Sequence, residues 1–291
     1  MTTSGSSPAD FRRALRRARA SLQRDLPWVG HPDPWAVLVS EFMLQQTQVS
    51  RVREPWARFL DAFPTPTSCA DAPLSRVLRL WEGLGYHRRA KALHDAARVI
   101  RDHFAGVVPS EVSQLRQLPG VGEYTASAVA SFAFDRPVAV LDTNVGRVLA
   151  RALANRPLSG RDARARARDL LPAKDSAAFN QSMIDLGAQF CRSTPRCDIC
   201  PLSRACRWRL EGGADPAPGS AAVSTRQPAF VGSTRQLRGR VLAELRAGPR
   251  SRARLLHALD GDLSRGEAVL EQLERDGLVQ RRGRTLQLVG D

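Results

Sequence analysis

Three shortages narrow what this 291-residue chain can be. No apolar run approaches the roughly 20 residues that a membrane-spanning helix needs. The opening stretch, Met1 to Pro8, is small and polar, with nothing like the apolar centre of a secretory leader. A cytoplasmic, nucleoid-associated protein is the expectation. Lysine is almost missing: Lys91 and Lys174 are the only two, so arginine carries nearly all the positive charge. That skew follows base composition and does not by itself mark guanidinium-specific recognition. Acidic residues are also in deficit, 29 against 44 basic ones, which leaves a net charge of +15. An excess of that size survives the caution about arginine and points to a polyanion, most simply nucleic acid.

Cysteine is scarce too, five in all, yet four fall inside the window 191–206. Crowded thiols in a reducing compartment suggest a metal rather than disulfides. The spacing Cys191-x5-Cys197-x2-Cys200-x5-Cys206 suits tetrahedral zinc or a four-iron cluster, and spacing alone does not separate them. Arg192, Arg196 and Arg204 lie between the thiols, so the loop they tie down is basic.

Apolar residues recur at helical spacing over most of the length. One helix starts at Trp35 and runs toward Leu60, with Pro55 kinking or dividing it. Further helices are predicted over 73–82, 88–104, 111–117, 123–133, 143–154, 161–171 and 176–189. No strand alternation appears before residue 210, so the body is all-α. Glu211 to Pro228 has the composition of a flexible linker. Beyond it, Arg235–Ala247, Ser251–Leu259 and Ser264–Asp276 read as short helices, and 278–280 and 285–289 as a basic hairpin. That is the order of a winged helix.

The densest signal is Leu118-Pro119-Gly120-Val121-Gly122-Glu123-Tyr124-Thr125-Ala126, followed by Leu141-Asp142-Thr143-Asn144-Val145. A Pro-Gly-x-Gly turn opens into a small-residue helix. Gly120 and Gly122 free the backbone to take positive φ and leave its amides bare at a helix N-terminus, which suits a phosphate. Asp142 reads first as an N-cap for the helix that begins at Thr143.

With GLGYHRRA (83–90), VLDTNVGRVLAR (140–151) and the cysteine loop, these segments resemble the helix-hairpin-helix base-excision DNA glycosylases. Through VSEFMLQQTQV (39–49) and FNQSMIDLG (179–187), the chain is most similar to the MutY-type adenine glycosylases among them. The resemblance spans roughly residues 22–208. It implies an all-α HhH-GPD fold: a six-helix barrel, a second helical lobe carrying a 4Fe-4S cluster on Cys191, Cys197, Cys200 and Cys206, and here a small winged-helix-like C-terminal domain. The implied organisation is a disordered N-terminus (1–8), the first part of the iron–sulfur lobe (9–34), the barrel with its helix-hairpin-helix (35–142), the rest of the lobe with the cluster loop (143–209), a linker (210–230) and the winged-helix-like domain (231–291). Two departures stand out. The first cysteine gap is five residues where the family usually has six. The last sixty-odd residues are too few, and wrongly patterned, for the Nudix-like domain that commonly inspects 8-oxoguanine.

The implied chemistry is hydrolysis of the N-glycosidic bond of adenine mispaired with 8-oxoguanine or guanine, by a monomer acting on double-stranded DNA. A neutral purine is a poor leaving group, so the reaction needs an acid for the base and a carboxylate for the cationic sugar. Glu41 sits among Leu38, Val39, Phe42 and Leu44, where desolvation favours the protonated carboxyl. By resemblance it is the acid at adenine N7, and Asp142 stabilises the sugar or bonds to it transiently. Tyr124 stands where endonuclease III-like relatives carry a Schiff-base lysine, so a monofunctional enzyme is implied, with Tyr124 and Asn144 orienting Asp142. Gln46 and Tyr86 are expected to enter the duplex beside the opposite base, Gln181 to meet the flipped adenine, and Leu26, Trp28 and Leu44 to line its pocket. The basic segment 231–291 is expected to clamp phosphates. His87, His94 and His103 read as solvated. Two rival readings are a thymine or uracil mismatch glycosylase, against which Glu41 argues, and a non-catalytic iron–sulfur DNA-binding regulator, against which the intact Glu41 and Asp142 argue.

Overall fold

The computed structural model describes residues 7–223, 229–259 and 263–291. The N-terminus expected to be disordered lies, through residue 6, outside the described residues. Helices come in the order α1 (Pro8–Leu22), α2 (Pro34–Leu44), α3 (Arg53–Ala62), α4 (Pro66–Asp71), α5 (Leu74–Leu80), α6 (Arg88–His103), α7 (Val112–Leu115), α8 (Glu123–Phe134), α9 (Thr143–Val148), α10 (Gly160–Leu170), α11 (Ser176–Gln189) and α12 (Arg207–Glu211). The C-terminal part adds α13 (Thr234–Arg246), β1 (Arg250–Ser251), α14 (Arg252–His257), α15 (Leu263–Arg275), β2 (Val279–Arg282) and β3 (Thr285–Leu288). No helix is long and apolar enough to cross a membrane.

The chain forms two compact units. The first comprises Met1–Pro32, Ser110–Val112 and Gly122–Arg226; the second comprises Asp33–Pro109, Ser113–Val121 and Gln227–Asp291. Residues 122–142, expected with the barrel, therefore group with the N-terminal helix. The reason is packing: Ala128 of α8 and Val140 join Phe11, Leu15 and Leu22 of α1 in one core with Val145, Val148, Met183 and Leu186. The C-terminal domain, expected as a separate body, groups with the second unit.

Local signals explain most boundaries. Ser7 and Asp10 form a reciprocal capping box at the start of α1, and Pro8 occupies its first turn. Asp33 caps α2 through the Trp35 amide, with Pro34 next in line. The helix expected to run from Trp35 to Leu60 is divided, but not at Pro55. It stops at Leu44, and Pro55 lies in the first turn of α3, where an amide would have no helical partner in any case. The expected 143–154 helix is continuous, with a π-helical stretch over Leu149–Ala154.

The linker reading fails up to Val223. Asp215 makes a two-pronged ion pair with the buried Arg151 at 2.8 and 2.6 Å. Ala217 and Ser220 are buried, and the Ala221 amide donates to the Leu158 carbonyl at 2.8 Å. A segment rich in Gly, Pro and Ala looks flexible by composition, yet small residues also let backbone lie flat on a neighbour. Residues 224–228 lie outside the described residues.

In the second unit the C-terminal domain has the winged-helix order, with one addition that periodicity could not reveal. The two-residue β1 pairs antiparallel with β3, which also pairs with β2.

Two histidines correct the sequence reading. His94 is buried with its Nε2 2.9 Å from the Ala72 carbonyl, and His87 is buried as well. Burial, followed by the nearby charges of Arg246, Arg238 and Arg89, pushes His87 down to about 4 from 6.5. A group lowered on folding resists the proton, so its contribution is complete above pH 6.5 and is lost as pH falls toward 4. The fold should therefore lose up to about 3 kcal/mol over that window through this residue. Urea unfolding of His87→Gln should show a flatter decline between pH 7 and 5 than the wild type, and an unchanged decline would remove His87 as its source.

Candidate active site

In the first unit, Asp142 ends the extended stretch before α9 and caps it. Its Oδ1 accepts from the Val145 amide at 2.7 Å, and its Oδ2 accepts from Asn144 Nδ2 at 2.6 Å. Asn144 is held in turn by Arg147, whose Nη2 donates to Asn144 Oδ1 at 2.6 Å. Arg147 also donates to the carbonyls of Cys191 at 2.7 Å and Gly187 at 3.1 Å, so it ties α9 to α11 and to the start of the cysteine loop. Burial raises the Asp142 carboxyl above its usual range, and the Val145 and Asn144 hydrogen bonds and the Arg147 charge oppose that rise. A desolvated carboxylate held by fixed donors is a strong electrostatic partner for a cation. Tyr124 is half-buried against the same apolar core.

Gly187 is what allows this arrangement. A Cβ there would stand 2.6 Å from both the Asn144 Cβ and its carbonyl oxygen. Gly187→Ala should force α11 away from α9, cost about 1–3 kcal/mol as overpacking does, and slow catalysis through displaced Asn144. A melting temperature and rate both equal to wild type would show that the contact yields freely.

Elsewhere in the first unit, Gln181 donates from Nε2 to Asp185 at 2.9 Å, and Arg24 pairs with the same carboxylate at 2.6 Å. Burial raises Asp185 against these two partners. Trp28 is buried and Leu26 half-buried in this unit. Asp185 and Arg24 were missed from sequence, although Asp185 lies one helical turn after Gln181.

The second unit holds Glu41, Leu44, Gln46, Tyr86 and Gly120. Glu41 is only 6% exposed in α2, where Leu38, Val39, Phe42 and Met43 are at 0%. Gly120 takes φ +77°, and an added Cβ would meet Ala92 at 2.7 Å and Phe42 at 2.9 Å. Gly122 differs from expectation: it has φ −87° and caps α8, and a Cβ there would meet nothing within 4 Å. Of these two glycines, Gly120 alone holds the left-handed backbone.

Gln46 and Tyr86 share an unusual property. Both hold left-handed backbone, at φ 56° and 47°, which side-chain-bearing residues seldom adopt unless their surroundings fix it. The fixing group is Arg89, which sequence reasoning missed. Its guanidinium donates to the carbonyls of Phe42 (2.7 Å) and Met43 (2.9 Å) at the end of α2. It also donates to Thr47 Oγ1 at 2.9 Å and to the carbonyls of Leu84 and Gly85 at 3.2 Å each. One buried side chain thus satisfies the open end of a helix and pins the loops bearing both residues. Burial pushes Arg89 down to about 10, which leaves it cationic at neutral pH.

The four clustered cysteines share one loop of the first unit. Among the described residues, no three His, Cys, Asp or Glu side chains stand together as for a single metal ion. The thiols are nonetheless near neighbours. Burial first, and then the charges of Cys191, Cys206 and Cys197, push Cys200 up to about 11. Arg151 donates to the Cys191 sulfur at 3.4 Å. Cys69 is buried elsewhere, in α4.

A model of the HhH-GPD superfamily of base excision DNA repair proteins matches residues 39–173. An adenine DNA glycosylase of Mycolicibacterium smegmatis is 44% identical over 266 residues, covering 89% of this chain and 88% of that protein. The chain belongs to this family of glycosylases. An adenine DNA glycosylase of Mycobacterium tuberculosis H37Rv is 46% identical over 270 residues, covering 89% and 86%. Coverage of that extent carries the likeness past the linker into the C-terminal domain. Among solved structures, a thermostable thymine-DNA glycosylase superposes with a TM-score of 0.65 at 26% identity, over 70% of this chain and 97% of that one. A thymine-directed enzyme thus shares this fold with adenine glycosylases, so the choice of base falls to the residues of the site.

Proposed function

We propose that this glycosylase is monofunctional and flips adenine out of pairs with 8-oxoguanine or guanine to hydrolyse its N-glycosidic bond. The observation that supports the reading is a pair of carboxyl groups, Glu41 shut away from solvent in α2 and Asp142 held by fixed donors at the start of α9. Glu41 is 6% exposed in α2, and under this reading it is the acid that gives a proton to the purine. Asp142 has three polar partners that favour its charged form, as the stabiliser of an oxocarbenium-like sugar requires. Gln181 would address the flipped base. Tyr124, with no amine, would leave the strand uncut. Gln46 and Tyr86 would fill the space the base leaves.

The deciding experiment offers four duplexes, with A opposite 8-oxoguanine, A opposite G, T opposite G, and U opposite G, followed by alkali. Strand breaks at adenine only after alkali are expected. Release of thymine or uracil instead would favour the pyrimidine-directed reading, and breaks without alkali would remove monofunctionality.

The same reading assigns the cysteine loop a 4Fe-4S cluster rather than zinc. Four thiols in one short loop are the donor set such a cluster takes, and the likeness to the endonuclease III-type glycosylases supports iron. When bound, the cluster would order the basic loop. Protein prepared anaerobically should be brown with four irons per chain. Cys200→Ser should lose the iron, and Cys69→Ser should keep it. Stoichiometric zinc without iron would overturn the assignment.

A further inference from the structure

Within the second unit, the C-terminal domain meets the turn that bears Tyr86 through a set of charged side chains. Arg235, in the first turn of α13, donates from Nη1 to the Tyr86 hydroxyl at 2.6 Å, and its guanidinium carbon stands 5.7 Å from the ring centroid. Arg89 stands 5.3 Å from the same ring, so two guanidinium groups share one phenol. On either side of Tyr86 the domain takes further hold. Arg246 donates to Glu82 at 2.8 Å, and Asp276 bridges Arg88 at 2.7 Å and Arg238 at 2.5 Å. The Asp276 side chain is 3% exposed and that of Arg238 17%, so this half of the bridge is largely shielded from solvent, whereas Arg88 lies open to it. A clamp that only gripped phosphates would need none of these contacts. The leading arginine of α13 is turned toward a side chain of its own protein.

We infer that Arg235 is a positioning residue for recognition of the base opposite adenine: it fixes the phenol of Tyr86, and the C-terminal domain thereby sets the preference for 8-oxoguanine over guanine. The inference rests on the reading of Tyr86 as the side chain that enters the duplex beside that base. The two bases differ only by an oxygen at C8 and a proton at N7, so telling them apart requires a stacking group whose place is set beforehand. A ring held through its hydroxyl, on backbone already fixed in a rare conformation, has little freedom left to lose on stacking.

The test uses the full chain and the variants Arg235→Ala, Arg235→Lys, Tyr86→Phe, Tyr86→Ala and the double variant Arg235→Ala/Tyr86→Phe. Single-turnover adenine release and salt-dependent binding are measured on A:8-oxoguanine and A:G duplexes, with a melting temperature for each protein. Arg235→Ala should lower the ratio of the two release rates fivefold or more. Arg235→Lys should restore most of it, since an ammonium can donate to the same hydroxyl. Tyr86→Phe, which removes only that hydroxyl, should lower the ratio comparably, and the double variant should be no worse than the poorer single one, because both break one contact. Additive losses, or a ratio within twofold of wild type for Arg235→Ala and Tyr86→Phe, would overturn the inference. Equal loss of affinity for both duplexes with a shallower salt dependence would make Arg235 a phosphate contact and overturn it too. A Tyr86→Ala protein that keeps the wild-type ratio would instead sink the placement of Tyr86, and the role of Arg235 with it.

Discussion

Replacing Glu41 with glutamine should abolish adenine release while mismatch binding persists. Glutamine has nearly the same shape, so the packing of α2 around the 6%-exposed side chain should hold. What it lacks is an acidic proton. General acid catalysis contributes about 10²–10⁴-fold, and adenine that is not protonated must depart as an anion, a poor leaving group, so a loss of at least about 10³, or roughly 4 kcal/mol of barrier, is expected. The check is single-turnover release on A:8-oxoguanine duplex at saturating protein, with binding followed separately. Release within about tenfold of wild type, a barrier change of only ~1.4 kcal/mol, would take Glu41 out of the acid role. Because the amide stays buried where a carboxyl was, a drop in melting temperature large enough to unfold the protein would be visible and could not pass for lost chemistry.

The sequence carried the helices well because their apolar spacing is a local property. Bounds read as 88–104 and 176–189 became α6 and α11 almost residue for residue. The cysteine loop and the two carboxyl groups could be picked out as candidates for a different reason, since each lies inside a short contiguous motif. What the sequence could not carry were contacts made across long separations. Arg89, Arg147, Arg151 and Arg235 each knit loops together, and all four are lost among the other arginines of a chain whose cations are nearly all arginine. The division at Pro55 was misplaced because proline is only a breaker in a helix interior, and here it falls in the first turn of α3. His87 and His94 were misread because an imidazole at a helical position looks the same whether that face meets water or a core. The linker was misread because composition cannot tell a mobile segment from one pinned by a single buried pair, here Arg151 with Asp215.

Asp142 brings the bland and the catalytic readings onto one side chain, and one substitution separates them. The structure places it as the N-cap of α9, where its Oδ1 accepts from the Val145 amide. Asparagine is as good an N-cap as aspartate, with a carbonyl oxygen that can accept the same bond. Asp142→Asn should therefore melt within a degree or two of wild type, whereas Asp142→Ala should lose the cap and about 1 kcal/mol. Catalysis should divide differently. Asparagine carries no charge to set against a cationic sugar and cannot bond to it, so both variants should lose at least about 10³ in single-turnover release, roughly 4 kcal/mol. The pH profile gives an independent check. Burial raises the carboxyl above its ordinary 3.8, so the acid limb of wild-type release should lie above that value. Removing the Asn144 donor, which favours the carboxylate, should move the limb to still higher pH in Asn144→Ala. A stable Asp142→Asn protein that releases adenine at close to the wild-type rate would leave the residue with its capping role alone, and the cationic sugar would need another partner.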